Sequence, residues 1–354
     1  MVDFLVLFLA DFSSYFFLCL LFVMIIMVTK NKHIYITADT FEGPQKIHKN
    51  SIPRIGGIAI VLSLLVHIFL IDIQYKQIFT ILILSGLPVF IVGLTEDITK
   101  AVKPMYRLMS SCMSGLLATY LLSLQILSTN IILIDITLSI WIIPFFLAMF
   151  SITLLSQSFN IIDGLNGLAI GISIIILMSV LYLAVLFYDT ELVYLSILFL
   201  SCFFGFFVFN FFTGKIFLGD GGAYFIGYIS ACLVLTLAMR HQMISPFAIL
   251  LIVFYPIYET LRSFFRRVFS RKLKYFEADS KHFHSILNAY FSLHCKHKNQ
   301  STNSFSALLI LIVIFCFNIL AISFYQDNNI LLSLLFLFIF VYEISIRFLN
   351  LKTN

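Results

Sequence analysis

The chain has 354 residues, 61% of them hydrophobic and only 11% charged, with a mean hydropathy of +1.05 and a formal net charge of +5. A water-soluble globular chain is about half apolar and roughly a quarter charged, so this composition excludes water as the main solvent of the surface and requires lipid. Apolar runs long enough to cross about 30 Å of hydrocarbon recur along the whole sequence. Backbone groups cannot stay unpaired in lipid, so the crossings should be helical. The runs are continuous, which excludes the short alternating segments of a β-barrel.

In chain order, the pattern predicts an all-α polytopic membrane protein with about eleven transmembrane helices, at 5–28, 55–72, 77–94, 105–127, 131–155, 165–187, 192–212, 221–239, 246–268, 304–325 and 330–348. The first run is not read as a cleaved signal peptide, because Asp3 and Asp11 precede or enter it and Lys30 and Lys32 follow it. The longest polar stretch, 269–303, is too short and too basic to hold a core, so residues 1–354 read as one integral membrane domain. Five of the six cysteines (Cys19, Cys112, Cys202, Cys232 and Cys316, with Cys295 outside) fall in apolar runs, which argues against a disulfide framework.

Counted over alternating connections, 20 of the 22 lysines and arginines fall on one side, and only Lys76 and Arg240 fall on the other. The positive-inside rule then places the N-terminus outside and the C-terminus in the cytoplasm. The cytoplasmic loops, about 30–54, 95–104, 156–164, 213–220 and 269–303, carry the polar motifs and should form the working face. The basic excess follows from topology alone; it also suits anionic headgroups or a phosphorylated substrate.

Five clusters lie on that face. Glu96 and Asp97 close the third run with Lys100 nearby. Adjacent carboxylates repel unless a cation sits between them, so the pair suits Mg²⁺ and phosphate, or is a solvated helix end. Asn160 and Asp163 stand on one helical face before Gly164 and Gly167, in a loop with no lysine or arginine to pair the acid. An acid at a membrane rim without a local partner is a functional candidate; a tight interhelical turn is the plainer alternative. Asn210 and Phe217 lead to Gly219-Asp220-Gly221-Gly222, where Asp220 opens a helix whose N–H groups and dipole attract anions. It could equally be a helix cap. His282 and His284 alternate in the most basic loop, after Asp279, and could bind a diphosphate, ligate a metal or move protons. Lys46, His48 and Arg54 lie in a Pro- and Gly-rich entry to the second run. The segment His294-Cys295-Lys296-His297 matches no standard zinc spacing.

Residues 39–287 with these motifs resemble the polyprenyl-phosphate N-acetylhexosamine-1-phosphate transferases, most closely the O-antigen and teichoic-acid branch. The segments Asn160–Leu168, Gly219–Gly227 and Lys46–Gly57 carry the likeness. The resemblance implies an Mg²⁺-dependent enzyme, with Mn²⁺ as a substitute. A polyprenyl phosphate would attack the β-phosphorus of a UDP-N-acetylhexosamine and release UMP, at the bacterial cytoplasmic (inner) membrane. It implies Asp220 as principal metal ligand and Asp97 as base or second ligand beside Glu96. Asn160, Asp163 and Asn210 would line the nucleotide pocket, and Phe217 would stack on uracil. Lys46, His48, Lys100, His282 and His284 would meet phosphates. A homodimer and no nucleic-acid partner complete the expectation. The chain departs from the family pattern at Glu96, Gln157, Asn166, Glu259 and Ser285, which leaves the sugar open. Two rival readings are a lipid-carrier transporter or flippase and a catalytically dead scaffold. Transporters bury ionisable groups near the bilayer midplane, whereas here the acids cluster at helix ends.

Overall fold

The computed structural model describes residues 2–37, 52–269, 281–294 and 299–353. Lys46, His48, Asp279 and the Cys295–His297 segment lie outside them, as does much of the expected 30–54 and 269–303 loops. The described residues form helices α1 (Val2–Val28), α2 (Lys30–Thr37), α3 (Gly56–His67), α4 (Ile73–Thr99), α5 (Pro104–Leu121), α6 (Ile132–Leu138), α7 (Ile143–Ile162) and α8 (Leu168–Leu186). They continue with α9 (Thr190–Thr213), α10 (Gly219–Arg240), α11 (Pro246–Ile252), α12 (Phe254–Phe269), α13 (Phe283–His294), α14 (Asn299–Ser323) and α15 (Asn328–Thr353).

Among the described residues, α4, α7, α8, α9, α10, α14 and α15 are each long and apolar enough to cross a membrane. Two bent pairs raise seven to nine: α1 with α2, turning by 84°, and α11 with α12, turning by 76°. The other two expected spans are α3, which has only 12 residues, and α5, whose buried face carries Ser110, Ser111, Ser114 and Thr119. At 1.5 Å per residue α3 covers about 18 Å, well short of a bilayer core. The expected 131–155 span is cut at Ser139, so that α7 starts at Ile143 with Pro144 in its first turn, where a missing N–H costs nothing. The α11–α12 bend has a local cause. Pro256 cannot donate to the Ile252 carbonyl, and Asn318 of α14 donates its side-chain amide there instead, at 3.4 Å.

One continuous apolar cluster runs from Tyr15 of α1 to Leu349 of α15. Its axis is α10, in which every residue from Gly219 to Leu237 is buried. A helix apolar all round belongs inside a bundle, and α4, α7, α8 and α3 surround it. Two of these neighbours approach backbone to backbone. A Cβ on Gly93 of α4 would lie 2.6 Å from the Gly221 Cα, and one on Gly57 of α3 would lie 2.4 Å from the Gly222 Cα. Small residues permit such approach in membrane bundles. Here they draw α3 and α4 onto the first turn of α10.

Candidate active site

The first turn of α10 is the focus of the sequence-predicted acids. Asp97, in the last turn of α4, accepts the Asp220 and Gly221 amides at 2.9 and 3.0 Å. Its carboxylate thus caps α10 from a neighbouring helix, satisfying N–H groups that have no partner within their own helix. Gly219 makes this possible. It sits at φ +79, and a side chain there would strike the Arg54 carbonyl and the Asp97 carboxylate.

Asp220 lies between two arginines. Arg54 donates to Oδ1 at 3.0 Å and Arg107 to Oδ2 at 2.9 Å. Arg54 arrives because the entry to α3 pairs with the strand-like stretch before α10. Phe217 donates to Pro53 at 2.9 Å, and Gly56 and Gly57 donate to Phe217 and Leu218 at 2.9 and 2.8 Å. Arg107 arrives because Lys100, in a left-handed conformation, ends α4 and Pro104 starts α5 at once. The Arg107 guanidinium also lies 4.0 Å from Glu96, whose other oxygen accepts the Val102 amide at 2.8 Å.

Asp163 follows the last turn of α7 and faces the same locus. The turn that carries it is pinned from two sides: Asn303 of α14 accepts the Asn166 amide at 2.7 Å, and Asn210 of α9 accepts the Gly167 amide at 2.5 Å. Among the described residues no cation reaches Asp163 within ion-pair distance. Burial pushes its carboxyl up to about 7, with Arg54 pulling it down and Asp220 pushing it further up. Asp163 is a half-buried acid that burial deprives of part of its hydration and that no ion pair compensates among the described residues.

A second group abuts this one. His284 is buried against Gly164, the residue after Asp163. Its ring lies parallel to that of His282 with centroids 5.5 Å apart. His282 Nδ1 is 2.9 Å from Glu259 Oε1. Burial holds the His284 imidazole down at about 4, so it is neutral at physiological pH.

The structure therefore brings Glu96, Asp97, Asp163, Asp220, Asn160, His282 and His284 to one end of the bundle. Three of the expected roles change. Asp97 spends both oxygens on the α10 amides, and among the described residues no three His, Cys, Asp or Glu side chains converge as a metal shell. The expected pairing of Asp220 with Asp97 on a metal therefore finds Asp97 already engaged by backbone N–H groups. Asn210 is buried with its carbonyl on Gly167 and its amide on the Ile216 carbonyl at 2.6 Å, so it fixes two loops instead of lining a pocket. His284, neutral and buried, packs the Asp163 turn and offers no charge to a phosphate. Asn160 donates to the Tyr224 hydroxyl at 3.0 Å. Phe217 is half-buried beside the entry to α10, and Lys100 is exposed at the end of α4. Sequence reasoning missed Arg107, Tyr224 and Asn303. Arg107 counted only toward topology, although an arginine four residues into a helix beside paired acids was a readable signal.

The described chain matches the family profile "Glycosyl transferase family 4" over residues 79–238, which spans Asp97, Asp163 and Asp220. It is 26% identical over 342 residues to a "Probable undecaprenyl-phosphate N-acetylglucosaminyl 1-phosphate transferase" of Bacillus subtilis (strain 168), covering 92% of this chain and 88% of the relative. It is 27% identical over 245 residues to an "Undecaprenyl-phosphate alpha-N-acetylglucosaminyl 1-phosphate transferase" of Thermotoga maritima, with 69% and 70% of the two chains covered. The Escherichia coli (strain K12) protein of that name is 22% identical over 250 residues, with 69% and 67% covered.

Proposed function

From the glycosyl transferase family 4 profile over residues 79–238 and the likeness to the relatives above, we propose that this chain is a member of that family and transfers a sugar-1-phosphate, N-acetylhexosamine-1-phosphate, from a UDP-sugar to undecaprenyl phosphate and releases UMP. The product begins a lipid-linked cell-envelope glycan. The observation that carries this reading is the surplus of carboxylate at the glycine-lined start of α10: Asp220 held by Arg54 and Arg107, with Asp163 facing it and no cation ion-paired to it among the described residues.

The chemistry follows from these groups. A phosphate monoester has a second pKa of about 6, so the attacking oxygen of the lipid is largely ionised without a base. What the site must supply is alignment of the two phosphates and neutralisation of their charge. Arg54 and Arg107 have guanidinium forks that suit phosphate oxygens, and their hold on Asp220 fixes the place they occupy. Asp97 keeps the α10 amides ordered around that place. The donor set fits Mg²⁺ as a part-shell, because this ion takes one or two protein carboxylates and fills the rest with phosphate oxygens and water. Asp220 and Asp163 would hold it. When bound, it supplies charge neutralisation to the diphosphate as UMP departs.

For the lipid, an apolar groove of about 460 Å³ runs along the seam of α7, α10, α11 and α12, lined by Leu147, Leu155, Leu235, Phe247, Val253 and Ile257. It lies in the half of the bundle that holds the far end of α10, where Gln125, Asn130 and Gln242 join its lining, so its apolar character suits the tail of a prenyl chain and not the phosphate end. The basic loops support a cytoplasmic site in the bacterial inner membrane, with eleven crossings counted when α3 and α5 are included. Purified protein supplied with undecaprenyl phosphate, Mg²⁺ and a panel of UDP-N-acetylhexosamines should release UMP from at least one donor. Release from none would refute the transferase reading.

A further inference from the structure

Glu259, one turn into α12 and buried, is the meeting point of three donors. His282 Nδ1 lies 2.9 Å and the Phe283 amide 3.3 Å from its Oε1, and the Tyr342 hydroxyl of α15 bonds its Oε2. Three donors converging on one carboxyl favour its ionised form. An ionised carboxylate can only accept, so His282 must carry its proton on Nδ1. That leaves Nε2 as the ring nitrogen not engaged by Glu259. The next residues bolt the same two helices together. Arg262 of α12 bonds Glu343 of α15 at 2.7 Å and lies over the Tyr342 ring at 5.7 Å, and Tyr258 reaches Glu343 at 3.1 Å. The chain Tyr342–Glu259–His282 ends on the ring stacked with His284, which rests on Gly164 beside Asp163.

We infer that Glu259 and Tyr342 are positioning residues that hold the His282 imidazole in its Nδ1–H tautomer, which leaves the Nε2 lone pair to accept a hydrogen bond from a hydroxyl of the substrate, and that α15 is thereby part of the active site. This rests on the transferase reading for its ligand, but the tautomer itself does not. The helix that supplies Tyr342 lies about a hundred residues beyond the 79–238 segment that matches the family profile. Among the described residues, Tyr255, Tyr258 and Arg262 on α12, His284 on α13 and Tyr342 on α15 face the pair. A free imidazole would distribute its proton between both nitrogens. Outer partners of this kind typically carry a 10–100-fold effect.

Two measurements on the full chain test this. The first is the ¹⁵N spectrum of histidine-labelled protein in detergent, with the His282 ring identified as the signal lost in His282→Gln. The ring should be protonated on Nδ1 in the wild type and should lose that preference in Glu259→Gln. A ring protonated on Nε2 alone, or one indifferent to Glu259→Gln, overturns the inference even if no donor substrate is turned over. The second is UMP release. Glu259→Gln should lower kcat by about 10–100-fold and Tyr342→Phe by a smaller factor, with KM for the UDP-sugar nearly unchanged and partial recovery in Glu259→Asp. In a His282→Gln background Glu259→Gln should cost nothing further. Full additivity of the two substitutions would mean that Glu259 acts only on the fold. Tyr342→Phe serves as the milder probe of the same carboxylate if Glu259→Gln melts early.

Discussion

The two ends of α10 carry similar residue types and opposite balances. At its last turn, Arg240 bonds both oxygens of Asp189, at 3.0 and 3.2 Å, and reaches Glu191 at 2.5 Å, while His241 adds a contact to Asp189 at 3.0 Å. Asp189 also caps α9 by accepting the Leu192 amide at 3.0 Å. Burial works to raise the Asp189 carboxyl, yet the Leu192 amide, Arg240 and His241 together hold it below its ordinary value. Every acid there has a cation, and Arg240 suits the negative end of the helix dipole. At the first turn, Glu96, Asp97, Asp163 and Asp220 face only Arg54 and Arg107 in ion pairs among the described residues. A balanced cluster finishes a helix. An unbalanced one, buried against glycine backbone, is where the proposed Mg²⁺ would bring positive charge. The comparison teaches where to look along one helix without reference to any motif.

The largest expected contrast comes from neutralising one acid at each end. Asp220→Asn should lower kcat by about 10³-fold or more with the fold intact, because the guanidinium anchor and the cation ligand go together. Asp189→Asn should leave kcat within about twofold and cost about 0.5–1 kcal/mol of stability through the lost ion pairs with Arg240 and His241, since asparagine still accepts the Leu192 amide and caps α9. Steady-state UMP release and thermal melting in detergent read both. A silent Asp220→Asn would dissolve the distinction between the two ends. Next in size, Arg107→Ala should cost about 10²-fold, and Arg107→Lys should recover only part, since lysine keeps the charge and loses the fork. The corresponding change at the other end, Arg240→Lys, should move melting and leave turnover alone.

The bundle itself was legible in the sequence, since ten of the eleven expected apolar runs map onto a helix or a bent pair, while the 131–155 run is divided between α6 and α7. The bends were not: Pro256 signalled a break, but the turn of 76° depends on Asn318, a residue 62 positions away that takes over the freed carbonyl. The acids were legible because charge at a helix end in lipid is costly. Their division of labour was not, because Asp97 as a cap and Asp163 as the acid without an ion pair are set by how closely α4 meets α10. Asn210 misled for the same reason, as a buried amide between two loops looks the same in a sequence as one beside a nucleotide.

That close meeting can be tested directly. Gly93→Ala places a Cβ 2.6 Å from the Gly221 Cα, so α4 must back away from α10 and carry Asp97 off the amides. Overpacking of this kind costs about 1–3 kcal/mol, and turnover should fall by roughly tenfold from misplaced groups. The smallest effect is on pH dependence. Asp163, pushed up to about 7 when folded, is protonated between pH 4 and 7 where the unfolded chain's carboxyl has already ionised. The folded state then binds the extra proton, so this residue makes stability fall as pH rises through that window, in protein free of divalent cations. Asp163→Asn should flatten that part of the profile, whereas Asp189→Asn should act at the acid end, where the stability from its depressed carboxyl is lost as pH falls.

The most direct test withdraws the divalent cation proposed for the unbalanced end of α10. UMP release should stop when EDTA removes divalent cations, return on adding excess Mg²⁺ to the wild type, and not return in Asp220→Asn. Turnover that continued unchanged in EDTA would contradict the account.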